Sequence, residues 1–328
     1  MSTTDTRVEA ALAELPRRLG QAAVEFTASG SAALEVALEV VEVGSGDEVI
    51  VPDIGCHSVA AAVVRRGAVP VFVGVGEELT LTPDAVAAAC TDRVRAVIAP
   101  HQYGLPCDVP GIAAGVPRGV VVIEDVAQAW GSTVRGVPAG ATGALAITSF
   151  GPSKPLSLGA GGALLGPAAT VAGTVARGDV TDRALPRPPS PARFPAPLLE
   201  GLPSAMDDAD RRLARRREVV DRFVRGPLAA HFRLPPLPPD SLASWTRLPL
   251  HPLSGTEARR EALEAALEAE LGPVQPMHRL PPSSLPMFRT SGKRVVTGGS
   301  GPVEPLLVRI GEIRDDDDQS APVLRPLP

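Results

Sequence analysis

Val121-Val122-Ile123-Glu124-Asp125-Val126-Ala127-Gln128-Ala129 is a short β-branched run that gives way abruptly to two acids. Such a run predicts a strand buried on both faces, with its end carrying polar side chains out of the core. Outward from it, residues 48–51, 69–73, 94–99 and 120–123 repeat the apolar run, and Ala-rich stretches at 31–43, 58–66 and 82–89 with helical character separate them. Continuous apolar strands divided by helices predict an α/β fold, a mainly parallel sheet sandwiched by helices. Ligands of such sheets settle at the carboxyl ends of the strands, so chemistry is sought in the segment after each run.

Beyond residue 166 the character changes. Pro186, Pro188, Pro189, Pro191, Pro195 and Pro197 crowd into 167–204, which reads as a loop. Residues 206–225 read as a helix with a basic, solvated face. A Pro-rich turn (234–239), a strand (246–250), a helix (256–271, with Thr256 as N-cap and Gly272 as stop) and a strand near 306–310 follow. The organisation expected is a large domain at 1–204, a smaller C-terminal α+β domain at 205–314, and a disordered acidic tail at 315–328.

The chain has 328 residues, 44% hydrophobic and 21% charged, with a formal net charge of -5. It is long enough for one large and one small core, and it carries no general field for nucleic acid or an anionic membrane. The opening residues lack the apolar segment of a signal peptide, and no stretch is apolar for the length of a membrane span. A cytoplasmic protein is expected. Cys56, Cys90 and Cys107 form no CxxC pair, which predicts neither a disulfide framework nor a metal site. Lysine occurs only as Lys154 and Lys293 among 32 basic residues. Where arginine serves every generic charge, a surviving lysine suggests amine chemistry that arginine cannot perform.

Segments that follow predicted strands carry the candidate residues. Ser29-Gly30-Ser31-Ala32-Ala33-Leu34 is a small-residue turn leading into a helix, which reads first as a plain serine or glycine cap and second as an anion site. Asp125 ends its strand, where a carboxylate can pair with a protonated pyridine nitrogen or cap a following helix; Gln128 would lie three residues along that helix. Ser149-Phe150-Gly151-Pro152-Ser153-Lys154 places a lysine among small and apolar residues before a Gly-rich turn, where desolvation favours a nucleophilic amine; an ordinary loop lysine is the alternative. His101 and Tyr103, after the strand ending near Pro100, line a site or pack.

Taken in order, Ser29 to Leu34, Gly46-Asp47-Glu48-Val49-Ile50-Val51-Pro52, His101-Gln102-Tyr103-Gly104, Glu124 to Gln128 and Ser149 to Gly162 resemble the DegT/DnrJ/StrS family over about the first half of the chain. Those proteins are sugar aminotransferases of PLP fold type I. The resemblance implies pyridoxal 5'-phosphate held as an imine on Lys154 and Asp125 against the pyridine nitrogen. It further implies Gln128 near the ring oxygen, with Ser31, Ser149 and the amide of Ala32 on the phosphate. It also implies an amino donor and a carbonyl acceptor as small-molecule partners, and a homodimer.

The sequence departs from the family's pattern in places. Cys56 stands where many members stack an aromatic ring on the cofactor, and His57 beside it is the candidate to stack or to act as acid and base. Ala160 stands where an acid is common, and 167–204 contains no asparagine where the family reaches into a neighbouring subunit's phosphate site. Arg215-Arg216-Arg217-Glu218 keeps an echo of the family's helix, and His278 falls near a substrate-facing segment. The expected function is amino transfer to a small keto or aldehyde intermediate, sugar-derived, in secondary metabolism. Elimination, replacement or cyclisation on the same cofactor is the second reading, and a non-catalytic PLP-binding or scaffold subunit beside a catalytic homologue is the third.

Overall fold

Period-two alternation explains the central sheet. In β-branched runs neighbouring side chains point to opposite faces, so Val49 and Val51 enter one core while Ile50 between them enters another, all at most 1% exposed. A computed structural model describes residues 3–172, 194–254, 256, 259–276, 281–288, 292–296 and 305–309. In chain order these form α1 (Thr3–Arg18), β1 (Ala23–Thr27), α2 (Gly30–Val40), β2 (Glu48–Pro52), α3 (Ser58–Arg65), β3 (Val69–Val73), α4 (Pro83–Ala89), β4 (Val94–Pro100), α5 (Val109–Gly115) and β5 (Val121–Asp125). The hairpin β6 (Thr133–Val134) and β7 (Val137–Pro138), then β8 (Leu145–Ser149), β9 (Gly162–Gly166) and α6 (Ala168–Val171) complete the first part. The second contains α7 (Leu202–Arg225), β10 (Phe232–Arg233), β11 (Leu248–Pro252), α8 (Arg260–Leu271), β12 (Val274–Pro276), β13 (Arg294–Val296) and β14 (Leu306–Val308).

The large sheet runs β1-β9-β8-β5-β4-β2-β3-β13. From β8 to β13 every pairing is parallel, and β9 is antiparallel to both β1 and β8. Helices α2 and α3 cover one face through Leu34, Leu38 and Val63, and α4 and α5 cover the other through Val86 and Ile112. The mainly parallel sheet between helices is as expected from the sequence. A smaller antiparallel sheet, β10-β11-β14-β12, packs under α8 and the end of α7 through Leu248, Leu250, Leu263 and Leu267.

Several elements differ from the sequence expectation for identifiable reasons. No helix follows Asp125: its Oδ1 accepts from the Ala127 amide at 3.0 Å in a tight turn, and the Val126 amide is taken by Ile147 O on β8. Thr256 does not cap α8; its hydroxyl donates to Leu253 O at 2.7 Å, and Arg259 occupies the cap. The expected strand at 246–250 is β11 two residues later, because Trp245 has φ of 51° and Thr246 turns toward the large sheet. α7 starts at Leu202, so the expected boundary at 204/205 falls inside a helix that serves both cores, Leu202 and Ala205 in one and Val220 and Phe223 in the other. The basic face of α7 is not uniformly solvated: Arg216 is buried, and Arg212 and Arg217 donate to backbone carbonyls.

β13 returns from the second part to the edge of the large sheet. Arg294 secures it, donating to the buried Glu48 carboxylate at 3.0 Å and to Ala89 O at 2.5 Å, while Arg93 and the Thr91 hydroxyl take the rest of that carboxylate. Burial pushes the Glu48 carboxyl up, but its hydrogen bonds from Thr91 and Arg294 and the arginine charges hold it below its ordinary value. The acidic tail and His278 lie outside the described residues.

Candidate active site

The carboxyl ends of β2, β4, β5 and β8 open on a cavity of about 310 Å³, closed from the other side by the first turn of α2. Its wall brings together Ser31, Cys56, Asp125, Gln128, Ser149 and Lys154, six of the seven residues expected to meet the cofactor. His57 lines it as well, at its exposed mouth beside Cys56, whose sulfur accepts from the Ser58 hydroxyl at 3.0 Å. Ala32 is the exception: its amide donates to Ser29 Oγ at 3.1 Å as the helix cap, and it does not line the cavity.

Glycines make the closure possible. A Cβ on Gly162 would stand 2.4 Å from the Gly30 nitrogen and from the Ser29 carbonyl carbon, and one on Gly30 would stand 2.7 Å from Ser149 Cβ. The start of α2 therefore rests directly on β8 and β9, placing Ser31 and Ser149 on one patch of wall. Hydroxyls at the positive end of α2 suit a phosphate.

Glu124 and Asp125 are adjacent in sequence and opposite in role. Glu124, 1% exposed, accepts from the amides of Gly140 (2.8 Å), Thr142 (2.7 Å) and Gly143 (2.5 Å), and from His101 Nε2 at 2.9 Å. His101 Nδ1 accepts from the Cys107 amide at 3.0 Å, so the ring is the Nε2–H tautomer. Burial pushes the Glu124 carboxyl up, yet the bonds from His101, Gly143 and Gly140 outweigh it and hold the group below its usual range. Asp125 faces the cavity, and burial raises its carboxyl above the ordinary value, opposed by the Lys154 charge and the Ala127 amide. An acid raised by burial gains from a second cation, and a protonated ring nitrogen would supply one.

Gln128 reaches the cavity from the turn after β5. Its Oε1 accepts from the Tyr103 amide at 3.2 Å, which leaves the carboxamide nitrogen as the donor available at the wall. Its backbone carbonyl is gripped from the second part of the chain by the hydroxyls of Ser244 (3.2 Å) and Thr246 (2.5 Å). His101 and Gln102 line the cavity, whereas Tyr103 packs in the core under the second sheet. Gln102 went unrecognised in the sequence, although its position after the β4 run was the available signal. The carbonyl contacts of Ser244 and Thr246 leave no sequence signal at all.

Beside the wall, Ser283 accepts no side-chain proton from Asp53 but gives two: its amide and hydroxyl donate to the Asp53 carboxylate at 2.8 and 2.5 Å. Thus a segment from the second part docks just after β2, next to Ile54 and Cys56 of the cavity.

Comparison with known proteins agrees with this geometry. The profile of the DegT/DnrJ/EryC1/StrS aminotransferase family matches residues 3–175. The UDP-N-acetyl-3-dehydro-alpha-D-glucosamine 3-aminotransferase of Acidithiobacillus ferrooxidans is 47% identical over 137 residues, 41% of this chain and 37% of that protein. The L-glutamine:2-deoxy-scyllo-inosose aminotransferase of Streptomyces fradiae is 42% identical over 140 residues, 42% of this chain and 33% of that protein. The match thus spans about a third of these curated relatives' length. S. venezuelae DesV, solved in complex with a ketimine intermediate, superposes with a TM-score of 0.75 at 27% identity, covering 93% of this chain and 84% of that one. With the family profile matched over more than half its length and the fold matched over nearly all of it, the chain belongs to the DegT/DnrJ/EryC1/StrS aminotransferase family.

Proposed function

We propose that this chain is a pyridoxal 5'-phosphate-dependent aminotransferase that moves an amino group from an amino-acid donor to a small keto or aldehyde acceptor. The observation that carries the reading is the convergence of Lys154, Asp125 and the Ser31–Ser149 patch on one cavity. A phosphorylated pyridine fits these residues: hydroxyls at a helix start, a burial-raised carboxylate and a primary amine line one cavity. When bound, the cofactor would supply an electron sink for breaking the carbon–hydrogen bond next to the transferred nitrogen.

The chain's own residues divide the remaining work. Ser31 and Ser149 would hold the phosphate, and the Asp125 carboxylate would keep the ring nitrogen protonated. The Gln128 carboxamide nitrogen would donate to the ring oxygen. Lys154 Nζ would hold the cofactor, and the same amine is the group at the cavity that could carry a proton to and from the substrate carbon. Cys56 and His57 stand at the open mouth, where His57 would meet the acceptor.

The names of the relatives support a cyclic, hydroxyl-rich carbonyl acceptor such as a keto sugar or an inosose. Family likeness supports a homodimer working in the cytoplasm, and among the described residues no helix is long and apolar enough to cross a membrane.

The test is spectroscopic. Protein loaded with the cofactor should show a visible band that borohydride bleaches and Lys154→Ala abolishes; absence of the band removes the basis of the proposal. With a panel of amino acids, a lasting shift to the amine form of the cofactor marks transamination. Return of the original band marks elimination or replacement, and no change marks a non-catalytic subunit.

A further inference from the structure

Lys154 stands on a loop that the sheet closes at its base and α7 holds at its middle. The loop leaves β8 at Ser149 and returns as β9 at Gly162. At the base the Phe150 amide donates to Gly161 O and the Phe150 carbonyl accepts from the Leu158 amide, both at 2.9 Å. Within it the Lys154 amide donates to Gly151 O at 3.0 Å, and Leu156, 2% exposed, belongs to the core cluster that contains Ala205, Met206 and Ala209 of α7. Arg212, one turn beyond Ala209 on the same helix face, donates to Pro155 O at 3.0 Å. The residue after the lysine is therefore tied to a helix outside the loop.

The same helix grips the wall segment that carries Gln128. Asp210, Leu213 and Arg217 form a second stripe of α7, at helical spacing, against the turn after β5. Asp210 accepts from Trp130 Nε1 at 2.8 Å, and Arg217 donates to Gly131 O at 2.7 Å and to Ala243 O at 3.3 Å. Leu213 approaches so closely that a Cβ on Gly131 would stand 2.2 Å from its Cδ2. Both stripes belong to one rigid helix whose ends are buried in two different cores. The separation of the lysine loop from the Gln128 turn is thus set by α7, while the loop by itself would be free to adopt many conformations.

We propose that Arg212 is a positioning residue for Lys154: its bond to Pro155 O holds the lysine loop at a set distance from the segment that carries Asp125 and Gln128. The proposal deepens the aminotransferase reading above and rests on it for the chemistry at the amine. Arg212 itself does not line the cavity, so it acts through the backbone next to Lys154 and touches no ligand. A bond from a charged guanidinium to a carbonyl is worth more than a neutral one, and a lysine on a braced loop loses less freedom when it engages a partner in the cavity.

The test compares full-length wild type with Arg212→Met, which cannot reach Pro155 O with a donor, and Arg212→Lys, which keeps one. In protein loaded with pyridoxal 5'-phosphate, R212M should shift the pH titration midpoint of the visible band by about half a unit or more and release the cofactor about tenfold faster. R212K should return both readings to near the wild-type values. In hydrogen exchange on cofactor-free protein, the Lys154 and Leu158 amides should exchange about tenfold faster in R212M, with the amides of β4 unchanged. A wild-type midpoint and release rate in R212M overturn the proposal. So does faster exchange throughout the protein that R212K fails to reverse, because that marks a general loss of stability. If R212M fails to fold, R212Q is read in the same way, and wild-type values there overturn the proposal as well. Should no band form even in the wild type, the aminotransferase reading fails, and exchange at Lys154 and Leu158 alone decides whether Arg212 braces the loop.

Discussion

The two parts of the molecule are built on different terms. In the first, chemistry-bearing side chains sit at strand ends of a buried parallel sheet, and glycines let backbone touch backbone around the cavity. In the second, none of the described residues lines the cavity, and segments beside the small antiparallel sheet hold the wall from outside: Ser244 and Thr246 on the Gln128 carbonyl, and Ser283 on Asp53 next to Ile54. The matched family profile ends at residue 175, so likeness is concentrated where the cofactor would sit. The contrast teaches that the first part builds the cavity and the second steadies its wall from outside.

The contrast is tested most severely at its centre. Lys154→Ala should lower turnover roughly a thousandfold or more and remove the visible band in an absorbance spectrum, since it takes away the proposed attachment and proton carrier together. A band surviving this change would relocate the cofactor and dissolve the division. Gly162→Val should cost about 3 kcal/mol or more in urea unfolding, because its Cβ would lie inside contact with Gly30 and Ser29. Cofactor affinity should fall with it.

In the second part, Leu267→Ala, which empties a fully buried position of α8, should cost about 2–5 kcal/mol of stability. Below its lowered midpoint the protein should nevertheless keep the band; simultaneous loss would show that the two parts are not separable. Acid should also distinguish them. His251, 2% exposed at β11, is held below its ordinary value of 6.5 mainly by burial. Its folded pKa is depressed, so the unfolded chain binds the proton first, and stability is lost as pH falls from about 6.5 toward the folded value. Glu124 is likewise depressed, but its contribution persists until pH falls below about 4.5. Stability curves should therefore fall as pH drops below about 6.5, a loss that His251→Gln flattens, while Glu124→Gln alters only the more acid limb. Smallest of all, Thr246→Val removes one hydroxyl bond to the Gln128 carbonyl and should cost about 1 kcal/mol, read in KM more than in the band.

Much of the first part was legible because strand ends are local features. The run at 120–123 and the acids after it located the cavity wall, and the scarcity of lysine singled out Lys154. What failed there was equally local: serine and aspartate choose between caps and turns according to neighbours, so Ala32 went to the Ser29 cap and no helix followed Asp125. In the second part the basic pattern of α7 read as a solvated face, whereas Arg216 lies buried where that helix crosses the loop before β11.

By itself, then, the sequence determined the α/β architecture and the place of Lys154 and Asp125 along the chain, because side-chain period and strand termini depend on near neighbours. Tertiary structure alone decided that Asp125 faces the cavity while Glu124 is locked by Gly140, Thr142, Gly143 and His101, that Gly162 must be glycine, and that Arg216 is a buried charge. Each of those depends on groups brought together from distant positions, and burial, which sets both close contact and electrostatics, exists only once the chain is packed.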